Sequence, residues 1–186
     1  MPTQPTTGHL AIRIADPDDA AALSELGART FVEAFGADNT PEDVAAHLAA
    51  TFTSERLAEE ITDSSSRMLL AEIGSIPAGY AKLHWVDAPE CVSGPEPVEL
   101  ARIYVLAEWH GHGVGRALME RCIEEALSAG AQTMWLGVWE RNQGAIAFYR
   151  KLGFAHVGYK DFMLGSDRQH DWVMQRDLRQ SPPTTA

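Results

Sequence analysis

Apolar and polar positions alternate at period two over residues 9–15, His-Leu-Ala-Ile-Arg-Ile-Ala, which predicts a strand. Asp16 with Pro17 then supplies an N-cap and a first-turn proline. Ala22, Leu23, Leu26, Phe31, Ala34 and Phe35 continue at helical spacing to the break at Gly36-Ala37-Asp38-Asn39, with Gly27 weakening the middle. Thr40-Pro41-Glu42-Asp43 repeats the cap signal. The stretch to Asp63 reads as one helix interrupted near Thr51–Thr53, or as two short helices with Ser54 capping the second. At Arg67 the period changes to that of strands: 67–73, a turn at Gly74-Ser75-Ile76-Pro77, then 78–86, together a hairpin. Pro89, Gly94, Pro95 and Pro97 make 87–97 a surface loop, and a strand follows at Val98–Leu106. After Gly113 a helix runs to Gly130. A strand at Thr133–Val138, a short helix at Asn142–Leu152, a strand from Phe154 and a last strand near Asp171–Leu178 complete the order.

Composition narrows the class. The 186 residues are 45% apolar and 22% charged, as in ordinary globular domains, which excludes disordered, collagen-like and solenoid chains. No internal repeat or sharp composition shift appears. We expect a flexible start at 1–8, one domain over 9–178 and a disordered tail at 179–186. The net charge of −11 repels phosphate backbones and no basic block offsets it, so nucleic acid is not an expected partner. No apolar run approaches the ~20 residues of a membrane span and no basic-then-apolar leader opens the sequence, so a cytoplasmic protein without a membrane partner is expected. Cys91 and Cys122, the two cysteines, form neither a disulfide framework nor a CxxC motif.

The segment with chemical content is Val98–Leu106 followed by Ala107-Glu108-Trp109-His110-Gly111-His112-Gly113-Val114-Gly115-Arg116. A strand enters a glycine loop and then a helix. Glycines at 111, 113 and 115 leave backbone N–H groups uncovered, and the helix start adds its own unpaired donors and the positive end of its dipole, which suits phosphate oxygens. Arg116 adds a cation. Val114, Ala117, Leu118, Cys122, Ile123, Ala126 and Leu127 form the packing face behind the loop. A dinucleotide fingerprint begun at Gly111 fails at Arg116, where glycine is required, and no Gly-Lys-Ser/Thr tripeptide of a P-loop occurs.

His110-Gly111-His112-Gly113-Val114-Gly115 resembles the Gln/Arg-x-x-Gly-x-Gly/Ala pyrophosphate motif of the GNAT superfamily of acetyl-CoA-dependent N-acetyltransferases, with His110 departing at the first position. Downstream, Asn142-Gln143-Gly144-Ala145-Ile146-Ala147-Phe148-Tyr149-Arg150-Lys151-Leu152-Gly153-Phe154 is similar to that family's Asn-x-x-Ala-x-x-Phe-Tyr-x-x-x-Gly-Phe segment. The resemblance implies an α+β fold: a single domain with a central, mixed but mostly antiparallel sheet of about seven strands flanked by helices, the fourth and fifth strands splaying around acetyl-CoA. It implies that the backbone of Ile103, Tyr104 and Val105 pairs with the pantetheine and that His110, Gly111, His112, Gly113, Val114, Gly115 and Arg116 hold the pyrophosphate. Asn142 and Tyr149 then lie along the pantetheine arm, and Ala145 and Lys151 complete the cofactor set.

Acetyl transfer to an amine requires a neutral nucleophile, a polarised carbonyl and a protonated leaving thiolate. An alkylamine with a pKa near ~10.4 arrives charged and must lose a proton to a carboxylate, directly or through water. Glu99, near the start of the cofactor strand and on the face of Ala101, Ile103 and Val105, is the candidate base, where the family often has a glutamate; it could equally flank the loop or bind Arg102. Tyr149 matches the family tyrosine that protonates the thiolate. Of the adjacent pair, Phe148 fits the core better. A strand N–H near Val105 would polarise the thioester carbonyl.

His110 and His112 lack further ligands, so no metal is expected. Nothing in the sequence activates the Cys91 thiol. Asp167, His170 and Asp171 read as a solvated turn. The last segment, Phe162-Met163-Leu164-Gly165 with Asp167, Gln169, Asp171 and Met174, and the early Thr30–Phe35, look like the bacterial spermidine/spermine branch, so a polyamine or other small cationic amine is the expected acceptor. A peptide N-terminal or lysine acetyltransferase, and a non-catalytic acyl-CoA-binding module, remain as alternatives. A homodimer is compatible with all three.

Overall fold

Each early helix begins where a side chain can take up a main-chain donor. Asp16 caps a 3-10 turn at Pro17–Asp19 in a reciprocal capping box with Asp19, and α1 (Ala20–Phe35) continues from it. Thr40 caps α2 (Pro41–Thr51) by accepting the Asp43 N–H at 3.2 Å. Thr53 caps α3 (Ser54–Thr62) through the Arg56 N–H. The block is therefore two helices, and its second cap is Thr53 rather than Ser54, because the extended backbone that a cap requires falls at Thr53.

The computed structural model describes residues 8–164 and 167–180. The expected flexible start, apart from Gly8, and the end of the expected tail, 181–186, lie outside the described residues. The strands are β1 (Leu10–Ile14), β2 (Ser66–Ile73), β3 (Ile76–His84), β4 (Pro97–Val105), β5 (Thr133–Trp139), β6 (Ala155–Leu164) and β7 (Asp167–Asp177). Helices α4 (Val114–Ser128) and α5 (Gln143–Lys151) complete the elements. Among the described residues, seven strands form one mixed sheet in the order β1-β2-β3-β4-β5-β7-β6, the α+β architecture expected. β1 runs antiparallel to β2, and β7 antiparallel to both β5 and β6. β4 is parallel to β5 over only three positions, Pro97–Glu99 against Thr133–Trp135, after which β4 continues to Val105 and β5 to Trp139.

Chain contacts gather into two units: residues up to Lys82 with Arg102–Arg121, and Leu83–Ala101 with the residues from Cys122 onward. In the first, Leu23, Leu26 and Phe31 of α1 and Leu57 of α3 are buried at helical spacing with Leu69 and Tyr80 of the sheet. Each such side chain contributes ~1.5–3 kcal/mol. Gly27 weakens α1 intrinsically but lets Phe52 approach: a Cβ there would lie 2.5 Å from the Phe52 ring and 3.0 Å from the Tyr80 hydroxyl. In the second unit Met134, Leu136, Ile146, Phe154, Val173 and Met174 are buried.

Two readings of the sequence change. Leu127 is exposed, so the inner face of α4 is carried by Val114, Leu118, Cys122 and Ala126. Asp167, His170 and Asp171 lie in β7 rather than in a turn, paired residue by residue with Leu164, Asp161 and Lys160 of β6. No helix among the described residues is long and apolar enough to cross a membrane.

Candidate active site

The glycine loop is positioned from both sides. Past the end of β4, the Leu106 N–H donates to the Ala78 carbonyl at 3.0 Å. A 3-10 turn at Ala107–Trp109 then closes, with the Trp109 N–H donating to Leu106 at 2.8 Å and the His110 N–H to Ala107 at 3.1 Å, while the indole of Trp109 is buried. Glu33 accepts the Ala107 N–H at 2.9 Å, and Arg29 pairs with Glu33 and, at 3.3 Å, with Glu108. Gly111 and Gly113 adopt φ of +78° and +82°, the left-handed region that other residues rarely enter, and a Cβ on either would meet nothing within 4 Å. Backbone conformation, not crowding, is what requires glycine here.

This geometry sorts the loop amides. Those of His110 and His112 are spent inside the turn, the latter on the Trp109 carbonyl at 3.3 Å. Among the hydrogen bonds of the described residues, none is donated by the main-chain N–H of Gly111, Gly113, Val114, Gly115 or Arg116, and the first intrahelical donors lie beyond them. No acidic residue sits in the first turn of α4, whose dipole places partial positive charge at these amides. The donor set fits the diphosphate of a coenzyme. Arg116 is exposed and pairs with Glu120 at 2.9 Å, one turn on.

His110 and His112 hold the loop rather than stand free beside it. The His110 Nε2–H donates to the Val105 carbonyl at 2.8 Å, and the His112 Nδ1–H to the His110 carbonyl at 3.0 Å. Because a carbonyl only accepts, these contacts fix which ring nitrogen carries hydrogen. Sequence reasoning missed the tie between His110 and the strand end at Ile103-Tyr104-Val105.

Glu99 is mostly buried at the start of β4, with one oxygen 3.4 Å from the Lys160 ammonium and the other 3.8 Å from His84 Nδ1. It does not bind Arg102, which instead grips Glu60 with two hydrogen bonds at 2.6 and 3.1 Å. Lys160 lies over the Trp135 ring, 5.3 Å from its centroid, and belongs to the same cluster as Asp171. Burial raises the Asp171 carboxyl above the ordinary range, and the Lys160 charge opposes that rise. Neither Lys160 nor Asp171 was singled out with Glu99 from sequence, because strand register alone brings them together.

Asn142 caps α5: its Oδ1 accepts the Ala145 N–H at 3.1 Å, so that oxygen and that amide are committed to the helix. Ile146 and Tyr149, three residues apart, form the buried stripe of α5, and Phe148 is the less buried of the aromatic pair, the reverse of the expectation. The Tyr149 ring packs against Phe148 and Phe154 at 5.4 and 5.8 Å between centroids. Lys151 is exposed at the last position of the helix.

Comparison with known proteins bears on the family and the fold. Residues 29–154 match the model of the acetyltransferase (GNAT) family. An N-acetyltransferase of Mycobacterium tuberculosis is 38% identical over 160 residues, 86% of this chain and 98% of that protein. The L-amino acid N-acyltransferase MnaT of Escherichia coli is 28% identical over 148 residues, 78% of this chain and 79% of the relative. Among solved structures, the yncA protein of Salmonella typhimurium, with its cofactor acetyl-CoA, superposes with a TM-score of 0.65 at 25% identity, covering 96% of this chain and 99% of that one. With the fold, the strand–loop–helix and a family match over more than half its length in agreement, the chain belongs to the GNAT family of acetyltransferases.

Proposed function

We propose that this protein moves an acetyl group from acetyl-CoA to a primary amine by direct attack in a ternary complex. The observation that carries the reading is the set of undonated main-chain amides at Gly111, Gly113, Val114, Gly115 and Arg116, which suits the diphosphate of coenzyme A. Bound there, acetyl-CoA supplies an activated thioester. Of the wider cofactor set, His110 and His112 act by shaping the loop. The strand Ile103-Tyr104-Val105 offers main-chain groups to the pantetheine. Asn142, Ala145 and Lys151 contribute through atoms other than the capping oxygen and amide.

The chemistry falls to two side chains. Glu99 removes the proton that keeps the acceptor amine unreactive, and Tyr149 returns a proton to the departing thiolate. For the acceptor, the net charge of −11 favours approach of a small polycation such as spermidine. The similarity to MnaT supports a second reading, an amino acid.

Calorimetric titration with coenzyme A, followed by thiol release with polyamines, neutral amines, amino acids and N-terminal peptides, tests the proposal in order. Binding with release for one acceptor class is expected. Absence of coenzyme binding removes the whole reading, and equal Michaelis parameters for cationic and neutral amines remove the polyamine. Gly113→Glu places a carboxylate at a left-handed position beside the diphosphate, and like charges brought together cost several kcal/mol. Coenzyme A affinity should fall ~100-fold or more, read by the same titration below the melting temperature of the variant, which the left-handed backbone should destabilise by ~1–2 kcal/mol. Retained affinity would count against the loop.

A further inference from the structure

The surroundings of Lys160 are those of an amine recognition site already filled by the chain itself. Its ammonium stands 3.4 Å from a Glu99 oxygen and above the Trp135 ring, where cation–π attraction favours it. Gly137 provides the room: a Cβ there would lie 2.8 Å from Nζ and 3.2 Å from the Asp171 carboxylate, besides colliding with the last methylene of the lysine. Two carboxylates, an aromatic face and a notch without a side chain therefore converge on one primary amine. The Lys160 side chain remains about one-third exposed, so it is not sealed from a second reactant.

We propose that Lys160 is an internal acetyl acceptor, modified by its own chain, and that this modification frees Glu99 for external amines. The inference rests on the reading of Glu99 as the base that serves acetyl-CoA. Glu99 takes a proton from the Lys160 ammonium. The Nζ lone pair forms the new N–C bond with the acetyl carbon as the C–S bond of the thioester breaks, the leaving thiolate takes a proton from Tyr149, and the second Nζ proton, lost as the amide becomes neutral, restores the phenol. The products are an acetamide at Lys160, free coenzyme A thiol and one proton released overall. The neutral acetamide no longer pairs with Glu99, so the carboxylate can receive the proton of an incoming amine.

The test is peptide mapping by mass spectrometry after incubating the intact protein with acetyl-CoA alone. One acetyl increment on Lys160 is expected, at a rate per molecule independent of protein concentration and at least tenfold slower in Glu99→Gln. Thiol release with an external amine should show a lag that preincubation with acetyl-CoA removes; Lys160→Gln, neutral like the acetamide, should start without a lag, whereas Lys160→Arg, which keeps a cation on Glu99, should stay at the slow initial rate. A protein that turns over an external amine while Lys160 stays unmodified overturns this inference and leaves the proposed function standing. Equal modification in Glu99→Gln, or a rate that scales with protein concentration, also overturns it. Failure to bind coenzyme A at all removes both readings.

Discussion

Replacing Tyr149 by phenylalanine is expected to lower turnover ~100- to 10,000-fold, the range over which a positioned proton donor contributes to a transition state. The substitution removes one oxygen and keeps the ring. Packing against Phe148 and Phe154, and the α5 stripe shared with Ile146, should therefore survive. Coenzyme A affinity should stay within a few-fold of the parent, because the open amides at Gly111 and at 113–116 make no hydrogen bond to the phenol. Thiol release under saturating acetyl-CoA reads the first quantity and calorimetry the second. A drop in turnover with intact affinity is the signature of a group that acts only in the transition state. Unchanged turnover would reduce Tyr149 to a packing residue, which its burial would otherwise suit.

The ease of reading the loop and the difficulty of reading its neighbours have one physical origin. The strand, the left-handed glycines and the helix from Val114 are local: backbone conformation within a few residues dictates glycine at 111 and 113, so the sequence carries the pattern. Helix starts are equally local, and the one miss, Ser54 for Thr53, is a shift of a single position between two competent caps. Orientation across a helix is less so. Phe148 is the more apolar of its pair, but Tyr149 sits three residues from Ile146, and that spacing decided which ring turned inward. The run from Asp167 to Asp171 looked like a turn because it is polar. It is the paired start of β7 against β6, whose exposed Tyr159 and Met163 also obscure the usual alternation. Glu99 and Lys160 are 61 positions apart and only the register joins them.

The same holds for the ion cluster of the first unit, where the second large effect is expected. Glu60 faces inward because it lies three residues after Leu57 on α3, and it meets Arg102 at 2.6 Å and Lys82 at 3.1 Å, with all three side chains largely buried. Burial pushes the Glu60 carboxyl up, but the hydrogen bonds and charges of Arg102 and Lys82 outweigh it and hold the carboxyl below its ordinary value of 4.5. Burial likewise pulls the Lys82 ammonium down, and Glu60 opposes that. Glu60→Gln removes the negative member and strands two cations, which should cost ~3–5 kcal/mol and lower the melting temperature by ~10 °C or more. Lys82→Met on top of Glu60→Gln should restore part of the loss, since one unpaired charge is then gone.

The pH dependence of that loss identifies its cause. A carboxyl whose folded pKa is depressed binds fewer protons than in the unfolded chain, so its contribution is present in full above 4.5 and fades as pH falls through the folded value. Asp171 acts in the opposite sense: raised by burial, it withdraws stability as pH climbs from 3.8 towards its folded value. Denaturation curves of parent and Glu60→Gln should therefore be furthest apart near neutrality and draw together progressively as pH falls below 4.5. A separation that persists unchanged into acid would mean that packing of the Glu60 stem, rather than its charge, accounts for the stability it confers.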